Sequence, residues 1–126
     1  MLTLPASVRI YACTTPVDMR KQIDGLAALV THQLGHDARS GHLFLAFNRR
    51  GDMARLLFWD RNGFCLVTKR LERSTFRPPW RGTQADGALE LNAAELAQIL
   101  EGVEVARTKR TTTRRSADRS TDLRAE

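Results

Sequence analysis

From Asn48 to Trp80 the chain reads NRRGDMARLLFWDRNGFCLVTKRLERSTFRPPW, and this run restricts the possible folds more than any other stretch. Apolar and basic residues alternate in it at strand spacing, and two four-residue turns, Arg49-Arg50-Gly51-Asp52 and Asp60-Arg61-Asn62-Gly63, interrupt it. Period-two patterning bounded by Gly- and Asn-containing turns predicts hairpins, with the positive-φ positions supplied by Gly and Asn. The expectation is a meander of His42–Asn48, Met53–Trp59 and Phe64–Leu71. Leu43, Leu45 and Phe47 then share one face of the first strand. Leu56 and Phe58 lie opposite Arg55, Leu57 and Trp59 on the second. Both faces are partly apolar, so neither is freely solvated.

The flanking sequence predicts helices. Val8–Ala12 reads as a short strand. Thr15, Pro16 and Asp18 then supply an N-cap, a first-turn proline and a favourable charge at the dipole's positive end. Met19, Ile23, Leu26, Ala27, Val30 and Leu34 recur at helical spacing, and Gly35 is a natural stop. A second helix begins at Asn92, where Glu95 completes a capping box, and ends at Gly102. Glu72–Trp80 is expected to be extended until Pro78-Pro79, and residues 82–87 to form a polar loop. Beyond Ala106 apolar residues nearly vanish, which predicts disorder in isolation. The fold class expected is α+β: a small antiparallel β-meander of three or more strands packed with two α-helices. It forms a single domain over 1–106, and a disordered basic tail over 107–126 follows.

Charge is segregated along the chain. The overall net charge is +6. Between Arg49 and Arg81 nine bases (Arg49, Arg50, Arg55, Arg61, Lys69, Arg70, Arg73, Arg77, Arg81) face three acids (Asp52, Asp60, Glu72). Residues 82–106 carry five acids and no base, and the tail is basic again. Such a field orients a polyanion or an acidic protein partner. Two cysteines, Cys13 and Cys65, are too few for a secreted disulfide framework. No apolar run approaches the ~20 residues that span a bilayer, and the first residues do not read as a signal peptide. A cytoplasmic location is expected.

Catalytic chemistry has little support. Asp18, Asp24, Asp52, Asp60 and Glu72 are the carboxylates available to a metal nuclease, but Asp52 and Asp60 occupy turn positions and Asp18 a helix start. His32 and His36 are four apart, yet Gly35 separates them and no third ligand is evident. No nucleophile–histidine motif, phosphate-binding glycine loop, cofactor site or small-molecule substrate is evident. A nucleic-acid surface uses more of the observations. Arg49, Arg50 and Arg61 sit on turns at opposite ends of the middle strand. Arg55, Lys69, Arg70 and Arg73 line the ladder between them, and Arg77 follows. Trp59, Phe64, Phe76 and Trp80 are interleaved with these bases and could stack on exposed nucleobases.

Three stretches, PVDMRKQIDGLAALV (Pro16–Val30), SGHLFLAFNRRGDMARLLFWDRNGFCLVTKRLE (Ser40–Glu72) and LELNAAELAQILEGVE (Leu89–Glu104), together resemble one family. It is the TnpB, or Orf2-like, accessory protein of bacterial insertion-sequence family sixty-six. The combined DMRK, NRRGD, WDRNG and KRLE pattern carries the resemblance, and there is none to the RNA-guided nuclease that shares the name TnpB. The resemblance implies a non-catalytic accessory role in DNA transposition, with DNA and the transposase of the same element as partners. It marks as candidate positions Asp18, Met19, Arg20 and Lys21; Asn48 to Asp52; Trp59, Asp60 and Gly63; and Lys69, Arg70 and Glu72. The motif positions and the basic run together give the expected contact residues for DNA: Arg20, Lys21, Arg49, Arg50, Arg55, Arg61, Lys69, Arg70, Arg73 and Arg77. A protein adapter that docks on the transposase or another accessory protein without contacting DNA is the alternative, and a cryptic metal-dependent nuclease the third.

Overall fold

The computed structural model describes residues 7–80 and 88–102. The expected polar loop over 82–87 and the tail over 107–126 lie outside them, as does Arg81. Seven elements follow in order: β1 (Ile10–Cys13), α1 (Ile23–His32), β2 (Leu43–Phe47), β3 (Met53–Asp60), β4 (Gly63–Arg70), β5 (Ala88–Leu91) and α2 (Ala93–Leu100). They build an α+β fold around one five-stranded sheet of order β4-β3-β2-β1-β5. The meander β2-β3-β4 is antiparallel, as its turns require.

Two features enlarge the expected sheet. β1 pairs parallel to β2, with α1 as the crossover, and β5 adds antiparallel to β1 through Ile10↔Leu91 and Tyr11↔Glu90. Parallel neighbours need such a crossover because a tight turn cannot reverse the chain twice. Every residue of β2, LFLAF, is buried, the pattern of a central strand covered on both sides.

The two faces make two apolar layers. On one, Leu43, Leu45 and Phe47 join Ile10, Ala12, Leu56 and Leu91 against Leu96 and Ile99 of α2, and Phe76 and Trp80 pack into the same layer. On the other, Phe44, Ala46 and Leu57 meet Leu26 and Val30 of α1, with Cys13, Val17 and Ala38. The period-two assignment of Leu43, Leu45 and Phe47 to one face therefore holds.

The first helix begins later than the Thr15-Pro16 signal implies. Its N-cap is Gln22, without a side-chain capping bond. Val17 instead stays outside the helix because its N–H donates to the Phe47 carbonyl at 2.8 Å and its side chain is buried. Asp18 closes a tight turn by accepting the Arg20 N–H at 2.9 Å. A tertiary backbone bond plus burial outweighs a local start signal. Gly35, at φ 71°, follows the helix end as expected. At α2 the capping box is complete, since the Asn92 side chain accepts the Glu95 N–H and the Glu95 carboxylate accepts the Asn92 N–H.

After β4 the chain is not a strand. The 71–76 segment folds back on the β2–β3 turn, where Leu71 N–H donates to the Asp52 carbonyl and Phe76 N–H to the Gly51 carbonyl, both at 2.8 Å. Phe76 is fully buried as a result.

Candidate nucleic-acid interface

The NRRGD motif is a self-locking turn. Asn48 Oδ1 accepts the Gly51 and Met53 N–H groups at 2.8 and 3.1 Å, and its Nδ2 donates to Asp52 Oδ1 at 2.7 Å. Gly51 takes φ 81°, a left-handed conformation that glycine adopts at little cost. With Asn48, Gly51 and Asp52 spent on the turn itself, Arg49 and Arg50 are left exposed at its tip. Arg50 reaches Asp52 at 3.4 Å, while Arg49 has no hydrogen bond or ion pair among the described residues. The Asn48 amide, and to a smaller extent the Arg50 charge, hold the Asp52 carboxyl below its usual range, against a partial desolvation cost.

Further bases come to the same end of the sheet. Arg70 pairs in register with Met53, the first residue after the turn. Arg73 lies in the loop that is tied at both sides to Asp52 and Gly51, and Arg77 follows Phe76. The loop bearing Arg20 and Lys21 is fastened there through Val17 and Phe47. Seven of the ten expected contact residues thus gather at the end where β1 and β2 finish. Four acids, Asp18, Asp24, Asp52 and Glu72, accompany them and leave that end basic. Asp18 is bound to Arg20 by several hydrogen bonds, which lower its pKa to about 2.

Three candidates stand elsewhere. Arg61 is at the far end, in the β3–β4 turn, where the positive φ falls on Arg61 itself (59°) rather than on Asn62 or Gly63. The Asn62 N–H donates to the Asp60 carbonyl at 2.6 Å, so Arg61 is the centre of a three-residue turn. Arg55 is half-buried on the α1 face: Nη1 donates to the Lys21 carbonyl at 2.6 Å, and Nε is buried without a partner. Lys69 projects on the opposite face from Arg55 and Arg70, and its Nζ donates to the Leu100 carbonyl at the end of α2, 2.5 Å away. The expected single line of bases along the ladder is therefore corrected. Alternation divides Arg55 and Arg70 from Lys69, and Arg73 is not in a strand.

The aromatic expectation also changes. Phe76 and Trp80 belong to the core, with Phe47 5.4 and 6.0 Å from their ring centroids. Trp59 and Phe64 form an edge-to-face pair on the α1 face, and the Arg39 guanidinium lies 5.1 Å from the Trp59 ring centre. None of the four presents an open ring for stacking at the basic end. Arg39 escaped the sequence reading because no local pattern links it to a tryptophan twenty residues on.

The acidic segment is partly consumed by the fold. Glu90 binds Arg9 at 2.6 Å and Glu95 caps α2. Among the described residues no three His, Cys, Asp or Glu side chains gather to hold a metal ion. His36 instead stacks on Tyr11, 4.0 Å between centroids. Both cysteines are free, and no described helix is long and apolar enough to cross a membrane.

A cleft of about 240 Å³ opens beside the turn. The 13–16 segment, Phe47, Asn48, Arg49 and Gly51, and Phe76, Pro78 and Trp80 line it.

Fold and site together define a small α+β protein with its bases crowded around one hairpin turn. The sequence matches the family described as IS66 Orf2 like protein over residues 8–110. It is 38% identical over 104 residues to the uncharacterized protein y4jC of Sinorhizobium fredii (strain NBRC 101917 / NGR234), covering 82% of this chain and 86% of that one. The uncharacterized protein y4hO of the same organism is 33% identical over 104 residues, covering 82% and 88%. No solved structure matches. The chain belongs to the IS66 Orf2-like family, whose members are accessory proteins of insertion-sequence transposition.

Proposed function

We propose that this chain is a non-catalytic accessory factor that holds DNA of its element by the phosphate backbone. The observation that carries the reading is the gathering of Arg49, Arg50, Arg70, Arg73 and Arg77 around a turn whose other side chains are spent on rigidity. Guanidinium groups on a preformed turn lose little freedom when they bind phosphates, and their planar forks match phosphate oxygens bidentately. Arg20 and Lys21 extend the surface along the same edge. Nothing in the arrangement reads base edges, so contact is by backbone and shape. The transposase of the same element would then act on DNA that this protein has already engaged.

The test is replacement of Arg49, Arg50 and Arg70 together by Ala. Binding to a short duplex should weaken and become less salt-sensitive, while thermal stability is nearly intact. Wild-type protein without salt-sensitive DNA binding at low ionic strength would defeat this reading.

One observation favours a protein adapter instead. Val67, 53% exposed, sits midway along β4, whose outer edge pairs with no described strand. An open edge can accept a strand from another chain. Capture of the transposase that survives nuclease treatment, and that is lost in Val67→Lys, would establish that role.

A further inference from the structure

We propose that the cleft beside the NRRGD turn is a nucleotide pocket, taking one unpaired nucleotide of a DNA strand with its phosphate held by Arg49. The inference rests on the DNA-binding reading above and specifies which form of DNA this end prefers.

The cleft is built rather than left over. One wall, the 14–17 segment, is fastened to β2 by the Val17–Phe47 bond, and the other by the Phe76–Gly51 bond, each 2.8 Å. Its floor is the end of the parallel β1–β2 pair. Open α/β sheets commonly bind ligands at the ends of parallel strands. The volume, about 240 Å³, falls just short of the roughly 300–1,000 Å³ of pockets for drug-sized ligands, which suits a single small flat group.

The chemistry of the walls narrows the ligand. Phe47, Phe76 and Trp80 back the cleft from the core and Pro16 and Pro78 flank it, while Thr14, Thr15 and Asn48 add polar groups, so the lining suits a planar body with polar edges. At the lining stands Arg49, whose guanidinium has no partner among the described residues, in contrast to Arg50 and Arg20, which are ion-paired. A cleft of mixed polarity with an uncommitted guanidinium fits a base joined to a phosphate. A base stacked in a duplex cannot enter, so the nucleotide must be unpaired. Arg77, beside the Phe76–Pro78 wall, and Arg50 are placed to take neighbouring phosphates of the same strand.

The experiment measures affinity of the full chain for a blunt duplex, for the same duplex with a short unpaired overhang, and for free deoxyadenosine monophosphate. Thr15→Phe places a ring in the cleft from an exposed position, and Arg49→Ala removes the cation; both are first shown to be folded by circular dichroism. The overhang should bind several-fold tighter than the blunt duplex. In either variant, overhang binding should fall toward the blunt-duplex level. Equal wild-type affinity for overhang and blunt duplex overturns the pocket while leaving the backbone reading in place. Persistence of the preference in folded Thr15→Phe overturns it too. If no DNA binds but the monophosphate shifts the NMR signals of Phe47, Asn48 and Trp80, the backbone reading falls and the pocket stands, serving a free nucleotide. If neither binds, both are wrong.

Discussion

Asn48 and Asp52 hold the β2–β3 turn between them: the Asn48 amide donates to the Asp52 carboxylate at 2.7 Å while its carbonyl oxygen takes the Gly51 and Met53 N–H groups. Replacement by Ala leaves the Met53 N–H without its acceptor, the Gly51 N–H with only the backbone carbonyl of residue 48, and the Asp52 carboxylate with only the longer Arg50 contact. Asn48→Ala should therefore cost about 1–3 kcal/mol of stability, read from urea unfolding. DNA affinity should fall with it, because Arg49 and Arg50 lose their fixed platform. An unchanged unfolding midpoint would show that the turn does not depend on this bond network.

Arg55 and Lys69 are bases of structure rather than of surface. Arg55→Ala removes the bond to the Lys21 carbonyl and the packing of the side-chain stem beneath α1, and should cost roughly 1–2 kcal/mol. Lys69→Ala removes the cation at the α2 carboxyl end, for about 0.3–1 kcal/mol. Both variants should lose less DNA affinity than Arg49→Ala. Thermal unfolding beside a binding titration separates the two effects.

The second helix depends on a local device. Asn92→Ala breaks the capping box, and unfolding should be easier by about 1 kcal/mol. β5, which leads directly into Asn92, should show faster amide exchange in the variant. No change in stability would mean that packing of Leu96 and Ile99 alone fixes the helix.

Acid should loosen the basic end. Asp18 and Asp52 both have folded pKa values below the ordinary carboxylate value, Asp18 at about 2 and Asp52 lowered by the Asn48 hydrogen bond. A depressed folded pKa gives stability that is complete above the unfolded pKa and lost as pH falls through the folded one. The stability gap between wild type and Asp18→Asn should be constant above pH ~4 and close toward pH ~2. Asp52→Asn should behave alike, its gap narrowing below pH ~4. Urea midpoints across that range check both, and a gap that widens on acidification would contradict the assignment.

The parts of this fold legible in the sequence are those encoded locally. The β2-β3-β4 meander shows as alternation with Gly51 and the Arg61-Asn62 turn, and α2 as the Asn92–Glu95 pair. β5 was not legible: Ala88–Leu91 is a four-residue ALEL whose Ala, Leu and Glu favour helix, and it becomes a strand only because Ile10, some eighty residues earlier, offers an edge. The parallel β1–β2 pairing and the late start of α1 are likewise set by contacts distant in sequence, Val17 with Phe47 above all. At the site, the sequence identified the bases but not their grouping. It could not show that α1 covers Arg55, that Lys69 turns to α2, or that the loop bearing Arg73 folds back on the NRRGD turn.

The central claim is that the bases at this one end hold DNA phosphates, and salt dependence tests it most directly. Duplex affinity should be measured from about 50 to 200 mM salt for wild type and for the Arg49→Ala, Arg50→Ala, Arg70→Ala triple variant. Each lost phosphate contact lowers the log–log slope by ~0.9, so the triple variant should be shallower by about two to three. Arg61→Ala, at the opposite end of the sheet, should change the slope less than the triple variant does. Equal slopes for wild type and the triple variant, with both folded, would contradict the account.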